Sequence, residues 1–262
     1  MTKVEIKTVS AAKMLSYLKC PRQFYYAYGE GIFPEETKYT RFGSFIHAVL
    51  ENYLKHLIST DRKKDLETLY SIVSAKKKEY AQIPETGEVS FFEADVFLNR
   101  FASALINTRR VYAVEKIFDI PWISGGEEIR INGRIDRIDI ETGQNKETIL
   151  HIIDYKTGKN KLTEEDLKND IQMKFYVTAA YLMYRKIHRL FRISHYYIRD
   201  NSLVSFETVY KDSYAEELLK CIQKMKNDSE YPKNIAAHCF RCPSFKICKP
   251  DVLVKSEKKI PS

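Results

Sequence analysis

Two oppositely charged side chains lie two positions apart in the apolar segment LHIIDYKTG, residues 150–158. The segment predicts a β-strand, in which alternate side chains point to the same face. Asp154 and Lys156 are therefore expected on one face, with Tyr155 on the other. A hard cation such as Mg²⁺ prefers several oxygen ligands, and one Asp supplies too few. The pair therefore predicts a second carboxylate on a neighbouring strand.

The segment GRIDRID, residues 133–139, supplies candidates for that carboxylate. Apolar side chains occupy odd positions before Asp136 and even positions after it. This change predicts a β-bulge at Asp136–Arg137 that aims Asp136 away from the regular sheet face. Asp139 is the rival candidate. The alternative without chemistry is a surface ladder of ion pairs, Arg134 with Asp136 and Arg137 with Asp139.

Cysteines form a second group of potential ligands. Cys239 and Cys242 are separated by two residues, Cys248 follows after five more, and Cys20 lies more than two hundred positions upstream. Four thiolates complete a tetrahedral site, and the spacing permits either Zn²⁺ or a 4Fe-4S cluster. Unrelated buried thiols are the alternative. The fifth cysteine, Cys221, lies among apolar residues at helical spacing and is expected in the core.

Hydrophobic periodicity predicts the elements that position these side chains. The predicted helices run from Ser10 to Pro21 and over 41–58, 163–186 and 212–228, the third opened by a capping box at Thr163 and Asp166. The predicted strands cover 114–123, 128–140, 148–156, 191–198 and 203–210. A charged, helix-prone stretch precedes the strands. This order predicts an α/β fold with a mixed central sheet flanked by helices.

Length and composition agree with one folded domain over residues 1–262, since 44% of the residues are hydrophobic. The net charge of +8 is typical of proteins that bind phosphate backbones, and also of soluble proteins with Lys-rich surfaces. The N-terminal residues lack the apolar run of a secretory signal, and no stretch has the length of a membrane span. We therefore expect a soluble, cytoplasmic protein without a membrane partner, whose cysteines bind metal or are buried.

A carboxylate strand followed by a strand with Asp-x-Lys resembles the signature of the PD-(D/E)XK nuclease superfamily, and the sequence is similar to its RecB-like branch. Gly43 and His47 resemble the G-x-x-x-H helical element of that branch, and Gln172 and Tyr176 its Q-x-x-x-Y element. Taken singly, His47 is more often an ordinary helix residue and Gln172 a solvated one. Their order along the chain favours the resemblance.

The resemblance implies a restriction-endonuclease-like core with a helical insertion at 59–113, and one or two divalent ions, Mg²⁺ or Mn²⁺. The implied metal ligands are His47, Asp136, Asp154 and the carbonyl of Tyr155. The implied catalytic residues are Asp136, Asp154, Lys156, Gln172 and Tyr176. Lys156 is expected to position the attacking water and to neutralise charge on the phosphate.

The cysteine pattern resembles a subset of the RecB-like branch that includes AddB subunits and small CRISPR-adaptation exonucleases. The resemblance implies that Cys20, Cys239, Cys242 and Cys248 bind a 4Fe-4S cluster. This cluster is expected to clasp a module formed by residues 10–30 and 231–250, followed by a basic tail at 251–262. Arg22 and Arg241 are expected to grip single-stranded DNA near this module.

The sequence therefore predicts a metal-dependent DNA nuclease, expected to be an exonuclease on DNA ends or single strands. Repair, recombination and CRISPR-type defence all use the implied scaffold, so partner proteins of such a complex are expected. The sequence has no Walker A element, so no helicase motor is expected within it. A non-catalytic DNA-binding or partner module, stabilised by a metal cluster, is the alternative function.

Overall fold

A computed structural model describes residues 3–33, 37–62, 64–81, 91–104, 110–124, 127–184, 190–242 and 244–248. Six strands form one mixed sheet within these residues. They are β1 (Thr8–Val9), β2 (Val111–Ser124), β3 (Glu127–Thr142), β4 (Thr148–Lys156), β5 (Leu190–Tyr197) and β6 (Ser202–Val209). The five predicted strands are confirmed, and the short β1 is an addition. The predicted basic tail at 251–262 lies outside the described residues.

The sheet combines parallel and antiparallel pairs. β4 pairs in parallel with β5, and β1 pairs in parallel with β3. The pairs β2 with β3, β3 with β4, and β5 with β6 are antiparallel. β3 contacts β4 only from Arg137 to Thr142, whereas β1 contacts β3 at Arg130 and Ile131. The two central strands therefore separate beyond Arg137, which leaves room for side chains between them.

Helices flank the sheet on both faces. They are α1 (Ala11–Lys19), α2 (Pro21–Tyr28), α3 (Lys38–Ser59), α4 (Leu66–Ala81), α5 (Phe91–Ser103), α6 (Glu164–Asn169), α7 (Ile171–Tyr184), α8 (Asp212–Asn227) and α9 (Phe245–Cys248). A short 3-10 helix covers Ala237–Arg241. The predicted α/β class with a mixed sheet between helices is confirmed.

Two apolar clusters fill the space between the sheet and the helices. One contains buried residues of α1, α2, α7 and α8, and the other contains buried residues of α3, α4 and α5. Ile152 of β4 belongs to the first cluster, whereas its neighbour Ile153 belongs to the second. β4 is therefore buried on both faces, as its nearly continuous apolar sequence predicts.

The long helix α3 packs one apolar stripe against the sheet. The helix predicted over 41–58 is confirmed here, and the buried residues that form the stripe include Phe42, Phe45, Ile46, Val49, Leu50 and Leu54. A capping box at its start joins the side chains and backbones of Thr37 and Thr40. This fixed start and buried stripe determine which way His47 points.

The prediction of one helix over 163–186 is wrong, because two helices, α6 and α7, meet at Asp170. The Thr163 capping box is confirmed at the start of α6. Asp170 has the extended angles φ −66° and ψ 124°, and its carboxylate accepts the backbone N–H of Gln172 at 2.6 Å. This local bond competes with helix continuation. The break sets Gln172 in the first turn of α7.

Two helices, α4 and α5, lie within the predicted insertion at 59–113, and β2 begins at Val111. That this stretch is inserted into a shared core stays a prediction, as does the single domain over 1–262. Among the described residues, no helix combines the length and hydrophobicity that a membrane span requires.

Candidate metal centre and active site

The end of β4 carries the charged pair that the sequence indicated. The ammonium of Lys156 lies 2.6 Å from Asp154 Oδ2. Tyr155 points to the other face, where it packs in the cluster of α3 and α5. The predicted alternation is therefore confirmed. Asp154 is buried, whereas about a third of the Lys156 side chain remains exposed, so the ammonium lies at the mouth of the site.

Asp136 meets β4 through its side chain. Its Oδ2 accepts the backbone N–H of Tyr155 at 2.8 Å. The predicted bulge at Asp136–Arg137 is wrong in its location, because β3 keeps a constant register against β2 on both sides of Asp136. The irregularities lie on β2: a register shift between Val111 and Ala113, and the positive φ of 51° at Glu115.

Asp139, the rival candidate, is bound elsewhere. Both of its oxygens lie 2.6 Å from guanidinium nitrogens of Arg137, and this pair is buried. The ladder interpretation is therefore correct for one pair, though that pair is buried and not on the surface. It is wrong for the other, because Arg134 forms its ion pair with Glu115 and not with Asp136. The Asp136 carboxylate is therefore not bound by Arg134 and remains available to the site.

His47 projects from α3 towards both strands. Its Nε2 donates to the carbonyl oxygen of Tyr155 at 3.1 Å, and its Nδ1 lies 3.5 Å from Asp136 Oδ2. Potential ligand atoms of His47, Glu115 and Asp136 all lie within 4.8 Å of one another. The predicted ligands from α3, β3 and β4 are thus brought together, and Glu115 of β2 joins them.

Gln172 links the charged pair to α7. Its side-chain oxygen accepts from Lys156 Nζ at 3.3 Å, while its amide group donates to Asp154 Oδ1 at 3.4 Å and to the Tyr176 hydroxyl at 3.1 Å. Gln172 and Tyr176 lie one helical turn apart, so both reach the site from the same face of α7. The residues of the Q-x-x-x-Y element are therefore at the site.

Burial and like charges shift the titration of the acidic groups. Burial raises the pKa of Asp154 to about 6; the Asp136 carboxylate adds to this increase, while Lys156 opposes it. Burial and Asp136 likewise raise the pKa of Glu115 to about 7. Burial lowers the pKa of His47, but its hydrogen bond to Asp136 and the nearby carboxylates outweigh this effect and raise it. The site is therefore short of positive charge.

Two adjoining cavities expose these groups. One, of about 380 Å³, is lined by Asp136, Asp154, Lys156 and Gln172, among others. The other, of about 450 Å³, is lined by residues that include Glu51 and Glu115. His47 and Arg134 line both. Carboxylate oxygens, a carbonyl oxygen and one imidazole suit Mg²⁺ or Mn²⁺, and a cation would offset the charge imbalance.

The four predicted cluster ligands also converge. Cys20, Cys239, Cys242 and Cys248 line one cavity beside α2, and none of them is in a disulfide. Cys20 and Cys239 are buried, and the backbone N–H of Asn234 lies 3.5 Å from Cys20 Sγ. Four thiols around one cavity fit a metal or a 4Fe-4S cluster. The remaining cysteine, Cys221, is buried on α8, as predicted.

Comparison with known families gives a match over nearly the whole chain. A family model described as "PD-(D/E)XK nuclease superfamily" matches residues 8–249. The chain belongs to this superfamily. The match includes all of the residues that converge at the two cavities and all four cluster cysteines.

Among curated proteins, this PD-(D/E)XK chain is similar to proteins named as subunits of an ATP-dependent helicase/deoxyribonuclease. One from Clostridium perfringens is 27% identical over 203 residues, 65% of this chain and 17% of the relative. One from Ruminiclostridium cellulolyticum is 28% identical over 193 residues, 63% and 16% respectively. The chain thus spans about a sixth of the length of these relatives. A solved crystal structure aligns with 95% of the chain at 13% identity and a TM-score of 0.43, too low to bear on function.

The predicted DNA-binding arginines have different outcomes. Arg22 donates to the backbone carbonyls of Tyr231 at 2.7 Å and Glu230 at 3.2 Å, so its guanidinium joins α2 to the segment before the 3-10 helix. Its contact with DNA stays a prediction. The side chain of Arg241 lies outside the described part of the structure.

Three residues of this PD-(D/E)XK site were not predicted from the sequence as metal ligands or catalytic residues. Arg134 lines both cavities, whereas Glu115 lines only the one of about 450 Å³. His195 of β5 is buried beside Asp154 in the parallel register, and neither of its ring nitrogens has a partner among the described residues. Burial, with a contribution from Lys156, lowers the pKa of His195 to about 3. Glu115 and His195 reach the site because β2 pairs with β3 and β5 pairs with β4, and neither pairing has a short-range sequence signal.

Proposed function

We propose that the chain is a metal-dependent deoxyribonuclease that hydrolyses phosphodiester bonds, acting as an exonuclease on DNA ends or single strands. The observation that carries the proposal is the convergence of Asp136, Asp154, Lys156 and His47 on one cavity. A module that only binds DNA needs positive charge and has no use for two buried carboxylates at its binding surface.

We assign the metal site to His47, Asp136, Asp154 and the carbonyl of Tyr155. A bound Mg²⁺ or Mn²⁺ supplies Lewis-acid polarisation of the scissile phosphate and lowers the pKa of water. The two carboxylates provide the charge that holds the ion. Their placement on separate strands, with the Asp136 carboxylate fixed by the Tyr155 N–H, keeps the ligands in position before the ion binds.

Lys156 is assigned to the attacking water and to the developing charge on the phosphate. Its ammonium is held between Asp154 Oδ2 and the Gln172 side-chain oxygen. These acceptors hold it in place and aimed at the cavity. Gln172 is assigned a positioning role, because it contacts both members of the charged pair, and Tyr176 supports Gln172.

The substrate and partners follow from chemistry and from the relatives. The net charge of +8 favours a polyanionic substrate. The relatives are named as a subunit of an ATP-dependent helicase/deoxyribonuclease, which supports DNA as the substrate and partner subunits for the chain. We propose that these partners belong to a repair, recombination or CRISPR-type complex. Because the chain spans only about a sixth of those relatives, their activity as whole proteins is not transferred to it.

A 4Fe-4S cluster is assigned to Cys20, Cys239, Cys242 and Cys248. It would tie residues 10–30 to residues 231–250 as a structural clasp. Two hydrogen bonds between N-terminal residues and residues 231–250 support this arrangement. The Tyr231 hydroxyl accepts the Val4 N–H at 2.8 Å, and the Asn234 amide donates to the Lys19 carbonyl at 2.8 Å. Arg22 and Arg241 are assigned to DNA binding beside this clasp.

The deciding experiment is digestion of end-labelled DNA, single- and double-stranded, with free or blocked ends, in Mg²⁺ or Mn²⁺. We expect stepwise release of short products from free ends, and no cleavage by an Asp154→Asn variant. Binding without cleavage in every metal would favour the DNA-binding module instead. Cleavage by Asp154→Asn at the wild-type rate would remove this site from the proposal.

A further inference from the structure

We propose that Arg134 binds a phosphate group of the substrate backbone at the metal centre, and that Glu115 positions it. This inference rests on the proposed function and adds a substrate contact to it. Neither residue belongs to the set of metal ligands and catalytic groups assigned above. Both lie on the long hairpin formed by β2 and β3.

The first observation is the unequal burial of the two partners. Glu115 is almost fully buried, with 6% of its side chain exposed, whereas 56% of the Arg134 side chain is exposed. The Glu115 carboxylate contacts Arg134 at Nε, on the stem side of the guanidinium. No other carboxylate among the described residues forms an ion pair with Arg134. The two terminal nitrogens of the guanidinium are thus available for another anion.

The second observation is the location of Arg134. It is one of two residues, with His47, that line both cavities of the site. Arg134 precedes Asp136 by two positions on β3, so the two side chains point to the same face of that strand. A backbone phosphate that reaches Asp136 from the boundary of the two cavities therefore passes this guanidinium.

The third observation is the backbone at Glu115. Its φ of 51° lies in the left-handed region, which is uncommon for a residue other than glycine. Glu115 stands on β2 between Val114 and Lys116, whose partners on β3 are Arg137 and Ile135. The unusual φ therefore occurs opposite Asp136. Such conformations persist where the surroundings fix them, and they cluster at functional sites.

Guanidinium chemistry fits this role. Its planar fork matches two oxygens of a phosphate, and it stays charged at every physiological pH. The buried carboxylates of Asp136, Asp154 and Glu115 repel a phosphate in the absence of compensating charge. A fixed guanidinium beside them reduces this repulsion without occupying the metal site.

The same two strands offer a matched control. Arg130 of β3 pairs with Asp119 of β2, with Nη2 and Oδ2 at 2.9 Å. Both side chains are exposed, at 44% and 52%, and neither lines the two cavities. Arg130→Gln removes the same charge from the same hairpin, so it tests whether the position of Arg134 matters.

The test measures binding of a fluorescent single-stranded oligonucleotide by anisotropy, from low to high salt, with Ca²⁺ in place of Mg²⁺. Arg134→Gln should bind about tenfold more weakly and reduce the slope of log affinity against log salt by about 0.7. Arg134→Lys should restore part of the affinity. Arg130→Gln should stay within about twofold of the wild type.

Glu115 requires a double-mutant cycle. If Glu115 acts through Arg134, Glu115→Gln weakens binding in the wild type but adds nothing in an Arg134→Gln background. The Mg²⁺ concentration for half-maximal cleavage should be unchanged by Glu115→Gln. The contrary result is that Glu115→Gln raises the Mg²⁺ concentration for half-maximal cleavage in the Arg134→Gln background. That result would overturn this role and make Glu115 a metal ligand.

The outcomes separate this inference from the nuclease proposal. Cleavage by the wild type together with an unchanged salt slope in Arg134→Gln overturns the phosphate contact and leaves the nuclease. A reduced slope without cleavage in any metal keeps the phosphate contact and overturns the nuclease. Thermal melting checks that each variant is folded. The Glu115→Gln/Arg134→Gln variant removes both charges of the pair, so the Glu115 carboxylate is not left buried without its partner.

Discussion

The Asp136 carboxylate accepts the backbone N–H of Tyr155 at 2.8 Å, just beyond Arg137 and Ile153, the last residues through which β3 and β4 pair. The Asp136 side chain thus links β3 to β4 at the point where the backbone pairing of these two strands ends. The Tyr155 carbonyl accepts instead from His47. The two backbone polar groups of one residue therefore hold a carboxylate and an imidazole in place.

The two aspartates of the GRIDRID segment should respond differently to substitution. Asp136→Asn keeps an oxygen for the Tyr155 N–H but removes a metal-binding charge, so cleavage should fall at least about 100-fold with little change in stability. Asp139→Asn should cost about 3–5 kcal/mol of stability, because it leaves Arg137 buried without its carboxylate. Urea unfolding and cleavage rates measure the two effects. The reverse pattern would exchange the assigned roles.

Gln172 should act on rate more than on substrate binding. Gln172→Leu removes the contacts to Lys156 and Asp154, and we expect a decrease of about tenfold in kcat with KM little changed. Tyr176→Phe removes only an acceptor for the Gln172 amide and should cost less than about threefold. Steady-state kinetics on a short oligonucleotide would measure both. Equal losses in the two variants would contradict a positioning role for Gln172.

The stability of the metal-free protein should fall as pH rises from about 4 to about 6. The folded pKa of Asp154, about 6, lies above its ordinary value of 3.8, so the folded state retains a proton that the unfolded state releases. The favourable contribution is complete at low pH and is lost through this window. With Mg²⁺ present, stability should instead rise with pH. The stability gained on adding Mg²⁺ should therefore increase as pH rises from about 4 to about 6.

Thermal melting from pH 4 to 7, with and without Mg²⁺, checks this expectation. Asp154→Asn is the control, because it cannot titrate. Glu115, with a pKa of about 7, continues the same trend at higher pH, so Glu115→Gln should flatten the upper part of the curve. An Asp154→Asn curve that matches the wild-type curve below pH 6 would contradict the assignment to Asp154.

Anaerobically purified protein should be brown and should contain four iron atoms and four sulfides per chain. Cys20→Ser should lower the iron content and expose the terminal segments to limited proteolysis, because Cys20 is the proposed ligand that lies between α1 and α2. Cys221→Ser, which removes a buried thiol outside that cavity, should keep the cluster. Colourless protein rich in zinc would replace the iron-sulfur assignment with a zinc site.

Gly133 should not tolerate a side chain. A Cβ at this position would lie 2.8 Å from Phe118 Cζ, which is buried across the hairpin, so Gly133→Ala should cost about 1–3 kcal/mol. Gly158→Ala is the matched control, since its added methyl meets nothing within 4 Å and should change stability by less than about 0.5 kcal/mol. Chemical denaturation measures both. Equal stability of the two variants would show that the ring moves aside.

Local patterns of the sequence predicted much of this arrangement. The two-residue period of β4 sufficed to put Asp154 and Lys156 on one face, and the apolar stripe of α3 sufficed to define the face it buries. Both signals arise within a single element. The same is true of the Thr163 capping box.

Other features depend on how distant segments align. The change of parity around Asp136 indicated an irregular strand, but the irregularities fall on the partner strand β2, as a register shift between Val111 and Ala113 and a positive φ at Glu115. The ion pair of Arg134 likewise follows from that register and not from its neighbours on β3. The break at Asp170 was missed because its side-chain bond to the Gln172 N–H overrides a continuous helical pattern.

The contact of Asn234 with Cys20 joins positions 214 residues apart. A ribosome makes the chain from its first residue, so α1 and α2 emerge long before the segment that covers them. Until the segment around Tyr231 has been synthesised, the aromatic side chains of α2 that pack on Tyr231 are not covered by it. A chain that stops before Tyr231 keeps that apolar surface open to proteases and chaperones. This contact thus distinguishes chains that include the segment around Tyr231 from shorter ones.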